Sequence, residues 1–94
     1  MSAKPGPKNL RQSRSSWCVY MVRCRDRSLY TGITNDLPKR LKAHAAGTAS
    51  RYTRSRLPLT LAYTLPQASK SQALKREAAI KKLTRPQKEQ LLGS

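Results

Sequence analysis

The 94-residue chain carries 20 Lys and Arg against four Asp and Glu, a formal net charge of +16. Such an excess calls for a polyanionic partner. Nucleic acid fits better than an anionic membrane surface, because the cations run through the whole chain and no helix pairs them with a broad Trp/Leu face. No stretch approaches the roughly 18 apolar residues of a membrane span, and no signal-peptide hydrophobic region opens the chain, so a cytoplasmic protein is expected.

Met1–Ser16 has two prolines, a glycine, several cations and almost no apolar side chains. It cannot bury enough surface to offset its ordering entropy and reads as a flexible basic arm, leaving residues 17–92 as one small domain. Trp17–Arg23 (WCVYMVR) is a short β-branched and aromatic run, a first strand. Arg25–Ser28 is turn-like, with Asp26 as a turn residue, and Leu29–Thr34 (LYTGIT) is a second strand, so the two predict a hairpin. Gly32 marks a bend or a close backbone approach. Tyr20 and Tyr30 share a sheet face only if the loop is odd in length or bulged. A plain four-residue loop would place them on opposite faces and remove any joint role.

Asn35-Asp36 can cap a helix over 37–46, with Pro38 in its first turn and Gly47 as its stop. Gly47–Pro58 is a basic Ser/Thr/Arg loop, Leu59–Leu65 (LTLAYTL) a third strand, and Ser69 or Ser71 opens a helix reaching Leu83. A last helix, Arg85–Leu92, has Pro86 near its start and Glu89 on its surface. The order ββαβαα predicts a three-stranded sheet with helices packed on it, an α+β fold. Cys18 and Cys24 are spaced C-x5-C and His44 is the only histidine, which excludes a four-ligand zinc site within one chain and leaves two reduced core or rim thiols.

One carboxylate is misplaced for a solvated face. On the helix over 71–83, Ala73, Leu74 and Ile80 form the apolar stripe, and Glu77 falls inside it. An inward carboxylate needs a cation or hydrogen-bond donors. Glu77 is therefore either a half-buried partner of a Lys or Arg, or a metal ligand. Tyr20, Tyr30, Gly32, Arg40, His44 and Glu77 together form a set suited to phosphodiester cleavage. It holds a base, a cation for the pentavalent phosphorane, an imidazole, and one oxygen ligand for a hard ion. Arg40 and His44, four residues apart, share one helix face. Taken singly, Tyr20 could be a core aromatic, Arg40 a solvated cation, and His44 a helix-end residue. Tyr63 reads as core, and Tyr52 as a loop anchor or nucleic-acid stacker.

The spacing of Val19-Tyr20-Met21, Tyr30-Thr31-Gly32, Arg40, His44 and a distant Glu77 resembles the GIY-YIG nuclease superfamily. The segments Gly47–Arg54 and Pro58–Tyr63, with the run from Glu77 to Leu91, resemble its small stand-alone bacterial branch, the YhbQ-like proteins. The resemblance covers residues 17–92. It implies an α/β domain with one divalent cation, Mg²⁺ or Mn²⁺, on Glu77, and hydrolysis of DNA, structure-directed and serving repair or processing. In that pattern Tyr20 or Tyr30 takes the proton of the attacking water, directly or by relay. Arg40 stabilises the transition state, and His44 orients or deprotonates a tyrosine. An ordinary tyrosine pKa near 10 would have to be lowered for direct base action at neutral pH. Cys18 and Val19 depart from the usual Gly and Ile, Thr31 from the Ile of YIG, Ile33 from a lysine found in some members, and Glu89 from an Asn.

Nucleic-acid contacts are expected from Gly32, Lys39, Arg51, Tyr52, Arg54, Arg56 and Lys81. With no second domain to choose a target, the expected substrate is a branch, flap or single strand, with room for a separate targeting protein and a monomer as default. The competing expectation is a non-catalytic basic module that binds DNA or RNA with the same fold.

Overall fold

The computed structural model describes residues 16–93. The basic arm expected over 1–16 therefore lies, but for its last residue, outside the described part.

Two strands, β1 (Cys18–Arg23) and β2 (Leu29–Thr34), form the hairpin. Helix α1 (Leu37–Ala45) follows, then a short helix α2 (Arg51–Arg54), strand β3 (Thr60–Pro66), and helices α3 (Lys70–Lys81) and α4 (Arg85–Leu91). The sheet order is β2-β1-β3, antiparallel throughout. The α+β expectation holds, with one addition: α2 occupies the segment expected to be an irregular loop. Its four residues are too few to show a helical period. Its signal is the Ser50 cap, whose hydroxyl accepts from the N–H groups of Tyr52 and Thr53.

The hairpin register decides the site. Tyr20 pairs with Gly32, Val22 with Tyr30, and Arg23 with Leu29, leaving the odd loop of residues 24–28. Opposed residues of an antiparallel pair share a face, so both tyrosines project from one side of the sheet, as the odd register requires. The loop is closed by Cys24 N–H on Ser28 O at 2.8 Å and by Asp26, whose carboxylate accepts from the Ser28 amide and hydroxyl.

The other face carries the apolar core. Val19 and Met21 pack with Ala73 and Ile80 of α3, flanked by Trp17, Leu29, Ile33, Tyr63 and Leu92. Tyr63 is thus core, as expected. Leu74, expected in the apolar stripe, is 47 % exposed. It stands about 100° round the helix from Ala73, and the narrow sheet is filled by Ala73 and Ile80 alone.

Strand β3 has a bulge opposite Met21/Val22, which pairs Tyr63 with Met21 but Leu61 with Val22. The extra residue turns Leu61 from the core face to the tyrosine face. Both cysteines are buried and free, and burial pushes the Cys18 thiol above its ordinary value.

Glu89 differs from its expected place on the surface. Its carboxylate takes both Arg23 guanidinium nitrogens, at 2.8 and 3.0 Å, and lies 3.5 Å from Arg85. This fork clamps α4 to the end of β1.

Candidate active site

On the tyrosine face, α1 is started by Asp36, whose carboxylate accepts from the Lys39 N–H at 3.1 Å. Arg40 and His44 then fall one turn apart on the side facing the sheet. His44 is 1 % exposed and Tyr20 2 %. Burial on this scale requires every polar atom to be partnered, and the partners form a line. The Thr53 hydroxyl donates to the Ser50 carbonyl at 3.4 Å, so it accepts from His44 Nδ1–H at 3.0 Å. In the tautomer with the proton on Nδ1, Nε2 is left as an acceptor for the Tyr20 hydroxyl, 2.8 Å away.

The electrostatics keep both groups neutral. His44 is held below its ordinary 6.5 by burial first and by the Arg40 charge second. Burial is also the largest cause raising the Tyr20 phenol well above 10; Tyr30, Cys18 and Glu77 add to the rise and Arg40 opposes it. Tyr20 is therefore a phenol with its proton in place, not a resting phenolate. Direct base action by Tyr20 would require this raised value to be brought down. Of the five expected side chains, Tyr20 bonds His44 and Tyr30 touches it, while the charges of Arg40 and Glu77 act on the Tyr20 phenol.

The close approach expected at Gly32 is present, but its partner is Tyr20 and not a phosphate. A Cβ at position 32 would lie 2.7 Å from the Tyr20 hydroxyl oxygen and 2.9 Å from Cζ. Gly32 is buried beneath that ring, so it leaves the set of phosphate contacts and becomes the floor on which Tyr20 rests.

Tyr30 is half-buried and touches His44 edge-on, with ring centroids 5.5 Å apart. Its outer side stacks on Tyr52 at 6.0 Å and 23°. Arg56 lies over the Tyr52 ring at 3.8 Å, donates to the Tyr52 carbonyl at 2.6 Å, and pairs with Asp26 at 3.0 Å. Tyr52 thus anchors the segment against Tyr30, itself still 39 % exposed. Arg56, expected on phosphate, has Nε on Asp26 of the hairpin turn and Nη1 on the Tyr52 carbonyl. Arg51, Arg54 and Lys39 remain exposed cations on the same side of the chain order as α1 and α2.

Glu77 is half-buried and pairs with Lys81 Nζ at 3.2 Å, so the ion-pair reading of this carboxylate is realised. Among the described residues no three His, Cys, Asp or Glu side chains gather into a metal cage. The donor set still suits one kind of ion. A single carboxylate beside a phenol matches Mg²⁺ or Mn²⁺, which take one or two protein oxygens and complete their shell with water and phosphate. Thr53 and Ser50, which orient His44, were not among the expected site residues. Their signal was the Ser-Arg-Tyr-Thr cap sequence.

The chain is similar to a family of known proteins. The family model described as the GIY-YIG catalytic domain matches residues 16–90. A UPF0213 protein of Clostridium perfringens is 53 % identical over 76 residues, covering 81 % of this chain and 82 % of the relative. One from Cronobacter sakazakii is 45 % identical, covering 82 % and 81 %. The solution structure of a UPF0213 protein from Bacillus halodurans aligns with a TM-score of 0.55 at 43 % identity, covering 82 % of each chain. A solution structure from E. faecalis aligns at 0.58 and 41 %, covering 86 % and 85 %. No helix among the described residues is long and apolar enough to cross a membrane.

Proposed function

Since the chain belongs to the GIY-YIG catalytic-domain family, a nuclease superfamily, we propose that it hydrolyses DNA phosphodiester bonds with one divalent cation, Mg²⁺ or Mn²⁺, at Glu77. The observation carrying this reading is the buried line Tyr20–His44–Thr53 set in the fields of Arg40 and Glu77. A binding surface has no need of a neutral imidazole with its lone pair on a phenol.

The proton path follows from the tautomer. As the attacking water loses a proton to the Tyr20 oxygen, Tyr20 passes its own proton to His44 Nε2. The imidazolium that forms keeps its Nδ1–H on Thr53. Phenol and imidazole thereby act as one base, without a free phenolate. Tyr30, half-exposed beside this pair, orients water or phosphate with its hydroxyl. Arg40 supplies the fixed positive charge for the phosphorane. The cation, when bound, supplies Lewis-acid polarisation of the phosphoryl oxygens. The substrate is recognised by shape, as a flap, branch or single strand, in repair or processing of DNA.

The Glu77–Lys81 pair favours a second reading, a non-catalytic nucleic-acid-binding module in which this carboxylate is only structural. The test is cleavage of linear, flapped, branched and single-stranded DNA, and of RNA, with Mg²⁺ or Mn²⁺. Wild type should cut, while Arg40→Ala and Glu77→Ala should bind without cutting. Binding by wild type with no cleavage under either ion would establish the module instead.

A further inference from the structure

We infer that the cavity beside Tyr30 seats the phosphodiester next to the scissile one, held between Lys81 and Lys88. This rests on the nucleic-acid reading above and extends it to substrate length. The cavity measures about 260 Å³ and is lined by Leu29, Tyr30, Thr31, Tyr52, Lys81 and Lys88.

Its position ties it to the reaction. Tyr30 forms one wall and touches His44, while Lys81 forms another and reaches Glu77. A strand whose reactive phosphate lies at Glu77 and Arg40 therefore runs its neighbouring phosphate past these two lysines.

The charges call for an anion there. Lys88 is half-buried and makes no ion pair among the described residues. The four carboxylates are committed elsewhere: Asp26 to Ser28 and Arg56, Asp36 to the start of α1, Glu77 to Lys81, and Glu89 to Arg23 and Arg85. With no described carboxylate on it, the Lys88 charge in this cavity wall is left for an incoming anion. In the same wall the Thr31 hydroxyl is buried without a hydrogen-bond partner. Leu29 and the edge of Tyr52 supply an apolar surface for a sugar. The two lysines match phosphate, so the seat reads backbone and not sequence.

The experiment measures affinity in EDTA, where no cutting occurs, on a flap junction carrying a single neutral methylphosphonate at successive positions. Wild type should lose affinity several-fold at the positions that touch protein. Lys88→Ala should bind unmodified DNA several-fold more weakly, lower the salt slope by about one, and lose nothing further at one methylphosphonate position. Lys88→Arg should restore binding, and circular dichroism should find both variants folded. Losses from Lys88→Ala that add to every methylphosphonate loss, or an unchanged affinity and slope, would overturn the inference alone. Wild type indifferent to every methylphosphonate and to salt would overturn the nucleic-acid reading itself.

Discussion

The hydroxyl of Tyr20 and Nε2 of His44 stand 2.8 Å apart, both side chains being buried and 24 residues apart in sequence. The hydrogen bond runs from phenol to imidazole because Thr53 fixes the Nδ1 proton. On the proposed mechanism, the phenol is thus coupled to its proton acceptor before substrate arrives.

Tyr20→Phe removes the donor and leaves Nε2 as a buried acceptor without a partner. Stability should fall by about 1–3 kcal/mol in urea melts. Cleavage should drop by about two to four orders of magnitude while DNA affinity is retained, read by single-turnover kinetics and anisotropy. Near-wild-type cleavage would exclude Tyr20 from proton transfer.

The pH response should follow His44. Its folded pKa lies below the ordinary 6.5, so the unfolded chain binds the proton first as pH falls. Its contribution is present above 6.5 and is lost as pH falls from there through the folded value. The melting temperature should decline as pH falls below 6.5, and His44→Gln should flatten the decline. The cleavage rate should fall over the same window, since protonated Nε2 cannot accept from Tyr20.

Gly32→Ala drives a Cβ into the Tyr20 ring, 2.7 Å from its oxygen. Overpacking of this kind costs about 1–3 kcal/mol and pushes the hydroxyl off His44. Combining it with Tyr20→Ala should recover most of the packing loss, a coupling seen in a double-mutant cycle. Additive losses would mean that the glycine serves some other purpose.

Arg56→Ala should loosen Tyr30 without touching it. The guanidinium on the exposed Tyr52 ring is worth about 0.5–1 kcal/mol, so the fold should survive. Faster Tyr30 ring flips and shifted ring resonances by NMR are expected, together with a lower kcat at nearly unchanged KM. An unmoved Tyr30 spectrum would show that the stack does not position it.

Much of this site was legible in the chain. Glu77 could be placed on the inward side of its helix, and Arg40 with His44 on one face, because a 3.6-residue period is a local property. Gly32 announced a close approach, though not which group makes it. The ion pairs of Arg56 and Glu89 were not legible, for one reason. Their partners, Asp26 and Arg23, lie 30 and 66 residues away, and no local pattern encodes such pairings.

Sequence alone, through periodicity, strand parity, capping residues and charge, determined an α+β chain built to meet a polyanion. It also set the condition for a joint tyrosine site, an odd hairpin. Tertiary structure decided that the odd register is the one adopted, and that a four-residue helix brings Thr53 to His44 and Tyr52 to Tyr30. Among the described residues, it also left Lys88 without an ion pair. The physical reason is that hydrogen bonds, ring contacts and ion pairs act over a few ångströms of space, and only folding brings distant segments of chain that close.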